Sequence, residues 1–210
     1  KQNLRLQNVS SKNFTVVMRL ENEEFLYLYE AEKPEKIDQA TLKEKSELFD
    51  LIFAAKDDYD VIVISQPYYA MQMLNEKRDV EPVLDDLPQM VGMKCKVCPG
   101  NDTPKILKTL QKNDAILLDQ YNLNQNGLLV VSPSLEKALA ATLIVEKSSQ
   151  AMVEAKVVGG TKKLPKHICH YYRKAYLTNY SKMDQELVSQ TEKDIPREIP
   201  ESEMLLRKQI

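Results

Sequence analysis

Apolar residues along the chain form short strand-like runs that alternate with longer segments of helical spacing. Two runs rich in Val, Phe, Leu and Tyr flank a polar turn at residues 21–23, a pattern that predicts a β-hairpin. The segment DVIVI at 60–64 is continuously apolar, which is typical of a buried strand. The predicted strands are Phe14–Leu20, Glu24–Tyr29, Asp60–Ile64, Val91–Val97, Ala115–Asp119 and Leu128–Val131.

Other segments place apolar residues three and four positions apart, which predicts helices. Ser132 is the predicted N-cap and Pro133 the first residue of a long helix, because serine caps helices and proline suits the first turn. The glycines at 159–160 are expected to end it. The other predicted helices are Ala40–Ala55, Pro67–Leu74, Thr103–Gln111 with Asp102 or Thr103 as its N-cap, and Lys166–Lys193.

Strands mixed with helices, including a local hairpin, predict an α/β fold: a three-layer α/β/α domain with a mixed, largely antiparallel central sheet. The length of 210 residues suits one domain, which we expect over residues 1–193. Residues 194–210 are rich in Pro and Glu and predict a C-terminal tail with too little apolar content to fold alone. The pair Asn126-Gly127 is a hairpin signal, since both residues tolerate positive φ.

Composition and charge narrow the class of protein. Hydrophobic residues at 43% and charged residues at 29% describe a soluble globular chain, and a net charge of −2 argues against a nucleic-acid partner. The sequence contains no run of 18 apolar residues, so it predicts no membrane span. The polar N-terminus lacks a secretory signal, and we therefore expect a cytoplasmic protein with no membrane partner. The first residue is not Met, which fits a trimmed or processed chain.

Cysteine and histidine residues occur in two short segments, and their types are those of a structural zinc site. The segments contain Cys95, Cys98, His167, Cys169 and His170. The alternative is that the cysteines are small core residues, because residues three apart on a strand point to opposite faces. The sequence leaves both open.

Six short motifs, taken in order, resemble the class II aldolase/adducin family of sugar-phosphate aldolases and epimerases. They are Gln7-Asn8-Val9-Ser10 for the family's Gly-Asn-(Ile/Val)-Ser, Lys45-Ser46-Glu47 for Ser-Ser-Glu, Val63-Ile64-Ser65-Gln66-Pro67-Tyr68 for His-x-His-Ser-Pro-Tyr, Pro99-Gly100 for a Pro-Gly turn, Gln125-Asn126-Gly127 for Asn-His-Gly, and Ala138 with Glu146 on a helix. The resemblance covers residues 5–160 and implies the same α/β fold.

The resemblance also implies where a metal would bind. The family binds a divalent cation, usually zinc, through three histidines, and the metal stabilises an enediolate. Val63, Ser65 and Asn126 stand at those three positions. Valine offers no lone pair, and serine and asparagine are poor zinc ligands, so we expect no metal cofactor.

The remaining polar residues of the implied pocket are few. Glu47 stands at the position of the family's catalytic acid/base, and its alternative role is a carboxylate stabilised at a helix start. The candidate substrate-binding residues are Asn8, Ser10, Ser46, Ser65 and Asn126. The family's phosphate-contacting Ser/Thr-Gly pair is replaced by Tyr29-Glu30-Ala31, which puts a carboxylate where phosphate would bind.

These observations favour a catalytically degenerate class II aldolase-like protein that binds or assembles; adducins are the family's precedent for that role. The alternative is an active lyase or epimerase on a sugar phosphate, with a rearranged metal site that uses Glu47, His167 and His170. A third option is a metal-independent binder of a small polar or phosphorylated ligand. The resemblance also implies a homo-tetramer, with sites at subunit borders.

Overall fold

The computed structural model describes residues 14–20, 22, 24–29, 32–120 and 126–180, with the side chains of 179 and 180 excepted. Its core is a seven-stranded mixed sheet in the order β3-β2-β1-β4-β7-β6-β5. The strands are β1 Thr15–Arg19, β2 Glu24–Tyr29, β3 Glu35–Asp38, β4 Val61–Ser65, β5 Lys96–Pro99, β6 Ala115–Asp119 and β7 Gly127–Ser132. The β5–β6 pair is parallel, and the other neighbouring strands are antiparallel. This confirms the predicted mixed, largely antiparallel sheet.

Helices pack on both faces of the sheet. They are α1 Gln39–Lys45, α2 Glu47–Ala55, α3 Tyr68–Asn75, α4 Asp86–Met90, α5 Thr103–Leu110, α6 Leu135–Glu154 and α7 Lys166–Ala175, with a 3-10 turn at Ala155–Val158 and a π-helical turn at Tyr176–Tyr180. Asp102 caps α5 through Lys105 N–H, as predicted. No helix within the described ranges is long and apolar enough to cross a membrane.

The alternation of side chains along β4 divides the core into two layers. Ile62 and Ile64 point to the face that α1, α2 and α5 cover. Val61 and Val63 point to the opposite face, which α3, α4 and α6 cover. Because successive strand residues face opposite sides, a continuously apolar strand requires a helical layer on each side. The predicted three-layer arrangement is therefore confirmed.

Three predicted boundaries are wrong, for local reasons. The helix predicted over 40–55 breaks at Ser46, which ends α1 and caps α2 by accepting Phe49 N–H at 3.3 Å; serine competes for backbone hydrogen bonds in this way. Ser132 is not an N-cap but the last residue of β7, and Ser134 caps α6 instead. The strand predicted over 91–97 is displaced to β5.

The chain divides into two compact units, Lys1–Arg173 and Lys174–Ile210. The first contains the sheet and the two core layers. The described part of the second is residues 174–180, where Thr178 donates to the Lys174 carbonyl at 2.8 Å. The remainder of the helix predicted to reach Lys193, and the tail predicted over 194–210, lie outside the described residues.

Candidate functional site

The end of β4 and the start of β7 bring two of the predicted motifs together. Ser65 pairs with Leu128 across the two antiparallel strands, and Gln66 Nε2 donates to the Asn126 carbonyl at 2.8 Å. A Cβ on Gly127 would lie 2.8 Å from the Ser65 carbonyl oxygen, so the strands approach as closely as only glycine permits. The segments that resemble His-x-His-Ser-Pro-Tyr and Asn-His-Gly are therefore neighbours.

The side chains at the three implied metal positions differ in their surroundings. Val63 is 3% exposed and packs in the apolar layer below α3 and α6. Ser65 is also 3% exposed, and its Oγ has no hydrogen-bond partner among the residues that the structure describes. Asn126 is exposed, and its Oδ1 accepts the Gln120 N–H at 2.6 Å. One apolar side chain, one hydroxyl and one engaged amide do not fit zinc.

Asn126 precedes β7 directly, and its side-chain oxygen accepts the amide of Gln120, which directly follows β6. β6 and β7 do form an antiparallel hairpin, but residues 120–126 connect them and Gly127 has no positive φ, so the Asn-Gly pair is not a two-residue hairpin turn. Of the described residues of this connection, Gln120 is left-handed, with φ 59°. The glycine is required by the contact with the Ser65 carbonyl described above, not by turn geometry.

Helix α2 carries the candidate residues Ser46 and Glu47 at its N-terminus. Its C-terminal part lies at the start of β4, because the Phe53 carbonyl accepts from Arg19, whose N–H donates to the Asp60 carbonyl. The N-terminus of α2 is about 13 Å away along the helix. There Ser46 is buried as the helix cap, and Glu47 is exposed in the first turn.

Other candidate residues lie outside the part of the chain that the structure describes. These are Asn8 and Ser10, together with Glu30 and Ala31 of the Tyr29-Glu30-Ala31 segment. Tyr29 is described as the last residue of β2.

The structural role of Glu146 is not predictable from the sequence. Glu146 is a buried carboxylate on α6, and its two oxygens accept the Tyr69 and Ala70 N–H groups, each at 2.9 Å. Glu146 thus caps α3, because the residue at the N-cap position of this helix is Pro67, whose side chain makes no capping hydrogen bond. Burial raises the pKa of Glu146, although the hydrogen bonds from those amides favour the charged form. The position matched the family's helix motif, but the identity of its partners depends on tertiary structure.

The cysteines and histidines do not form one site. Cys95 lies in the core layer with α3 and α6, and Cys98 lies in the opposite layer, as strand geometry predicted. Burial raises the pKa of both thiols, which is typical of unreactive core cysteines. Cys169 is buried on α7, whereas His167 and His170 are exposed. Within the described ranges, which include Glu47, no three His, Cys, Asp or Glu side chains are placed to hold a metal ion.

Solved structures of other proteins share the fold described above. The sequence matches no protein-family model and no curated protein. Among solved structures it is similar to an L-fuculose 1-phosphate aldolase, with a TM-score of 0.68, 14% identity, and coverage of 81% of this chain and 89% of that one. The L-fuculose 1-phosphate aldolase from Glaciozyma antarctica PI12 is similar with a TM-score of 0.63 and 17% identity, and the match covers 80% of this chain and 74% of that one. An aldolase II superfamily protein from Pseudomonas syringae is similar with a TM-score of 0.56 and 12% identity, and the match covers 90% of this chain and 87% of that one. The chain has the class II aldolase fold, which confirms the fold implied by the resemblance.

Proposed function

We propose that this chain, built on the class II aldolase fold, is a catalytically degenerate relative of those enzymes that acts by binding or assembly. The observation that supports this most directly is the chemistry of the junction between β4 and β7. There Val63, Ser65 and Asn126 occupy the positions at which the resemblance places three metal-binding histidines.

The reaction of the related enzymes places a negative charge on a substrate oxygen. An enediolate next to a carbonyl needs a strong electrophile to stabilise its negative oxygen, and the related enzymes use a metal ion for this purpose. A valine in the apolar core supplies neither a ligand nor a donor. Ser65 Oγ is buried at the junction, and the more exposed polar groups of Gln66 and Asn126 suit hydrogen bonding to a small polar ligand.

The direct test is an activity assay. Purified protein, with and without added zinc, is incubated with fuculose-, rhamnulose- and ribulose-type phosphates, and aldehyde release is measured. We expect no cleavage. Elemental analysis for zinc, manganese, cobalt and iron is performed on the same sample; stoichiometric metal together with turnover would support an active lyase or epimerase and overturn the proposal.

A second test restores the implied ligands. The triple variant Val63→His, Ser65→His and Asn126→His should bind zinc, because three imidazoles would then converge at one junction. The matched control is the double variant that retains Asn126, which should bind much more weakly since only two imidazoles remain. Circular dichroism establishes folding, because Val63 and Ser65 are buried. A folded triple variant with no more zinc affinity than the double variant would show that the site is misplaced.

A further inference from the structure

A concave cleft lies beside the C-terminal ends of α3 and α6. One wall is formed by residues 77–81, which follow α3, and the other by the end of α6 and residues 160–163 after it. The cleft has a volume of about 500 Å³, which is the size of a small-molecule site. None of the candidate residues at the junction of β4 and β7 lines it.

The lining of this cleft is predominantly cationic. Lys77, Arg78, Lys156 and Lys163 line it, against two carboxylates, Asp79 and Glu81. Lys94 lies 2.7 Å from Asp79 and 3.6 Å from Glu81, and the Val97 N–H also donates to Asp79. Burial opposes the charged form of Asp79, but these partners outweigh it and lower its pKa. Asp79 is therefore paired with a cation outside the lining, whereas Glu81 is shared between that cation and Lys163 of the lining.

Each cation of the lining has an acidic partner, and the pairs made by Arg78 and Lys163 are the most exposed. Arg78 contacts Glu76, two residues before it, at 3.4 Å, and Lys163 contacts Glu81 at 2.9 Å. The side chains of Arg78 and Lys163 are 49% and 62% exposed. Exposed ion pairs of this kind contribute little to stability, so a multivalent anion can replace the carboxylates. Lys156 also pairs with Glu76, so this carboxylate is shared between Lys156 and Arg78.

The backbone of Lys77 is an independent indication. Its φ is 54°, in the left-handed region that glycine favours after a helix. Its N–H bonds to the Leu74 carbonyl, and the Arg78 N–H bonds to the Met73 carbonyl, so this residue ends α3 in a tight C-terminal turn. A lysine here is strained relative to glycine, and such strain occurs preferentially at functional positions. Its side chain lines the cleft and also pairs with Asp119.

The opposite wall is shaped by two glycines. Gly159 and Gly160 have φ values of 101° and 93°, and they turn the chain back after the 3-10 segment. The returning segment is tied to the first wall, because the Leu164 N–H donates to the Pro82 carbonyl at 2.8 Å. Lys163 is thereby positioned opposite the residues that follow α3.

We propose that this cleft binds a compact anion that carries two or more negative charges, of the pyrophosphate or phosphate-ester type. Four cationic side chains from two walls suit such a ligand, since each phosphoryl oxygen accepts charge-assisted hydrogen bonds. The cleft is a separate site from the one in the proposed function, and its variants leave Ser65 and Asn126 unchanged.

Calorimetric titration with inorganic pyrophosphate at low ionic strength tests the proposal. We expect single-site binding that the double variant R78A/K163A weakens at least about tenfold, because two charge-assisted contacts are lost. The matched control is K108A/K112A, which removes the same charge from exposed residues at α5, in the opposite layer. No binding by the wild-type protein, or equal weakening by both variants, would overturn the proposal.

A third variant separates binding from folding. Lys77→Gly relieves the left-handed backbone and removes one cation from the cleft. We expect its melting temperature to equal or exceed that of the wild type while its affinity for pyrophosphate falls. An unchanged affinity would mean that Lys77 is not part of an anion site.

Discussion

At the scale of single residues, Glu146 joins two helices through one carboxylate. Its oxygens satisfy the first N–H groups of α3, which proline at position 67 cannot cap with a side chain. Glu146→Ala should lower the free energy of unfolding by about 1–3 kcal/mol, because it leaves two amides without this acceptor. Urea denaturation measures this change. The control Glu136→Ala, at an exposed position of the same helix, should have a much smaller effect; equal losses would contradict the capping role.

The raised pKa of Glu146 also predicts a pH dependence. Since burial raises the pKa in the folded state above the ordinary 4.5, the folded state holds this proton more tightly than the unfolded state does. The resulting stabilisation is complete below the unfolded pKa and is lost as pH rises through the folded pKa. We therefore expect the stability of wild type relative to Glu146→Gln to fall from pH 4 toward neutrality, measured by urea unfolding at each pH. A relative stability that rises with pH would contradict this sign.

Residue types in the sequence were enough to predict some contacts but not others. The opposite orientation of Cys95 and Cys98 follows from strand periodicity alone. The partners of Asn126 do not, because the Gln120 amide and the Gln66 side chain reach it only after β4, β6 and β7 have paired. The same holds for Glu146 and its bonds to α3.

At the scale of elements, periodicity identified the buried strands and the longer helices, and local capping decided where they end. Ser46 divides one predicted helix into α1 and α2, since its hydroxyl accepts a backbone N–H that a longer helix would pair internally. The strand β3 was not predicted. Its sequence, EKID, is mostly charged, and it forms at the edge of the sheet by pairing with β2. Such an edge strand has little apolar pattern to detect.

Helix α7 is attached to the start of β6 through a buried charge cluster. Arg173 contacts Asp114 at 2.5 Å, and Asp114 also accepts from Lys56 and Tyr59, each at 2.8 Å. Asp114→Asn should lower the free energy of unfolding by about 3 kcal/mol, because two mostly buried cations lose their counter-charge. The control is Asp60→Asn, whose carboxylate is half exposed and lies 3.9 Å from Arg19.

Hydrogen exchange extends this prediction to the helix itself. In the Asp114→Asn variant we expect faster exchange in residues 166–173 than in the wild type, with the sheet core less affected. Equal protection of these amides in the two proteins would show that the cluster does not hold α7.

At the scale of the whole molecule, we predict a homo-tetramer. Tyr68 is 65% exposed and packs edge-on against Tyr69 with ring centroids 5.0 Å apart, which offers an aromatic surface at the start of α3. Light scattering at micromolar concentration should give four times the mass of 24.1 kDa. Tyr68→Ser should weaken the assembly, whereas Tyr171→Ser, at a similarly exposed tyrosine of α7, serves as the comparison. A monomeric wild-type protein would contradict the prediction.

The candidate sites were harder to predict from the sequence than the fold was. The resemblance implied that the motifs around Ser65 and Asn126 lie side by side, and the Ser65–Leu128 pairing and the hydrogen bond from Gln66 to Asn126 show this proximity. The cationic cleft had no signature, because its lysines and arginine belong to segments 77–81 and 156–163 that meet only when α3 packs on α6. Charges that are scattered along a sequence give no information about the cavity that they share.

The cap on α3 also has a consequence for the order of folding. The Tyr69 amide and the Glu146 carboxylate are 77 positions apart in the chain, so the first turn of this eight-residue helix is completed by a long-range contact. A helix this short is marginal alone, and closing so long a loop is slow compared with forming local structure. We therefore expect α3 to acquire protection from pulse-labelled hydrogen exchange only after α6 has docked on the sheet, later in refolding than the local hairpin of β1 and β2.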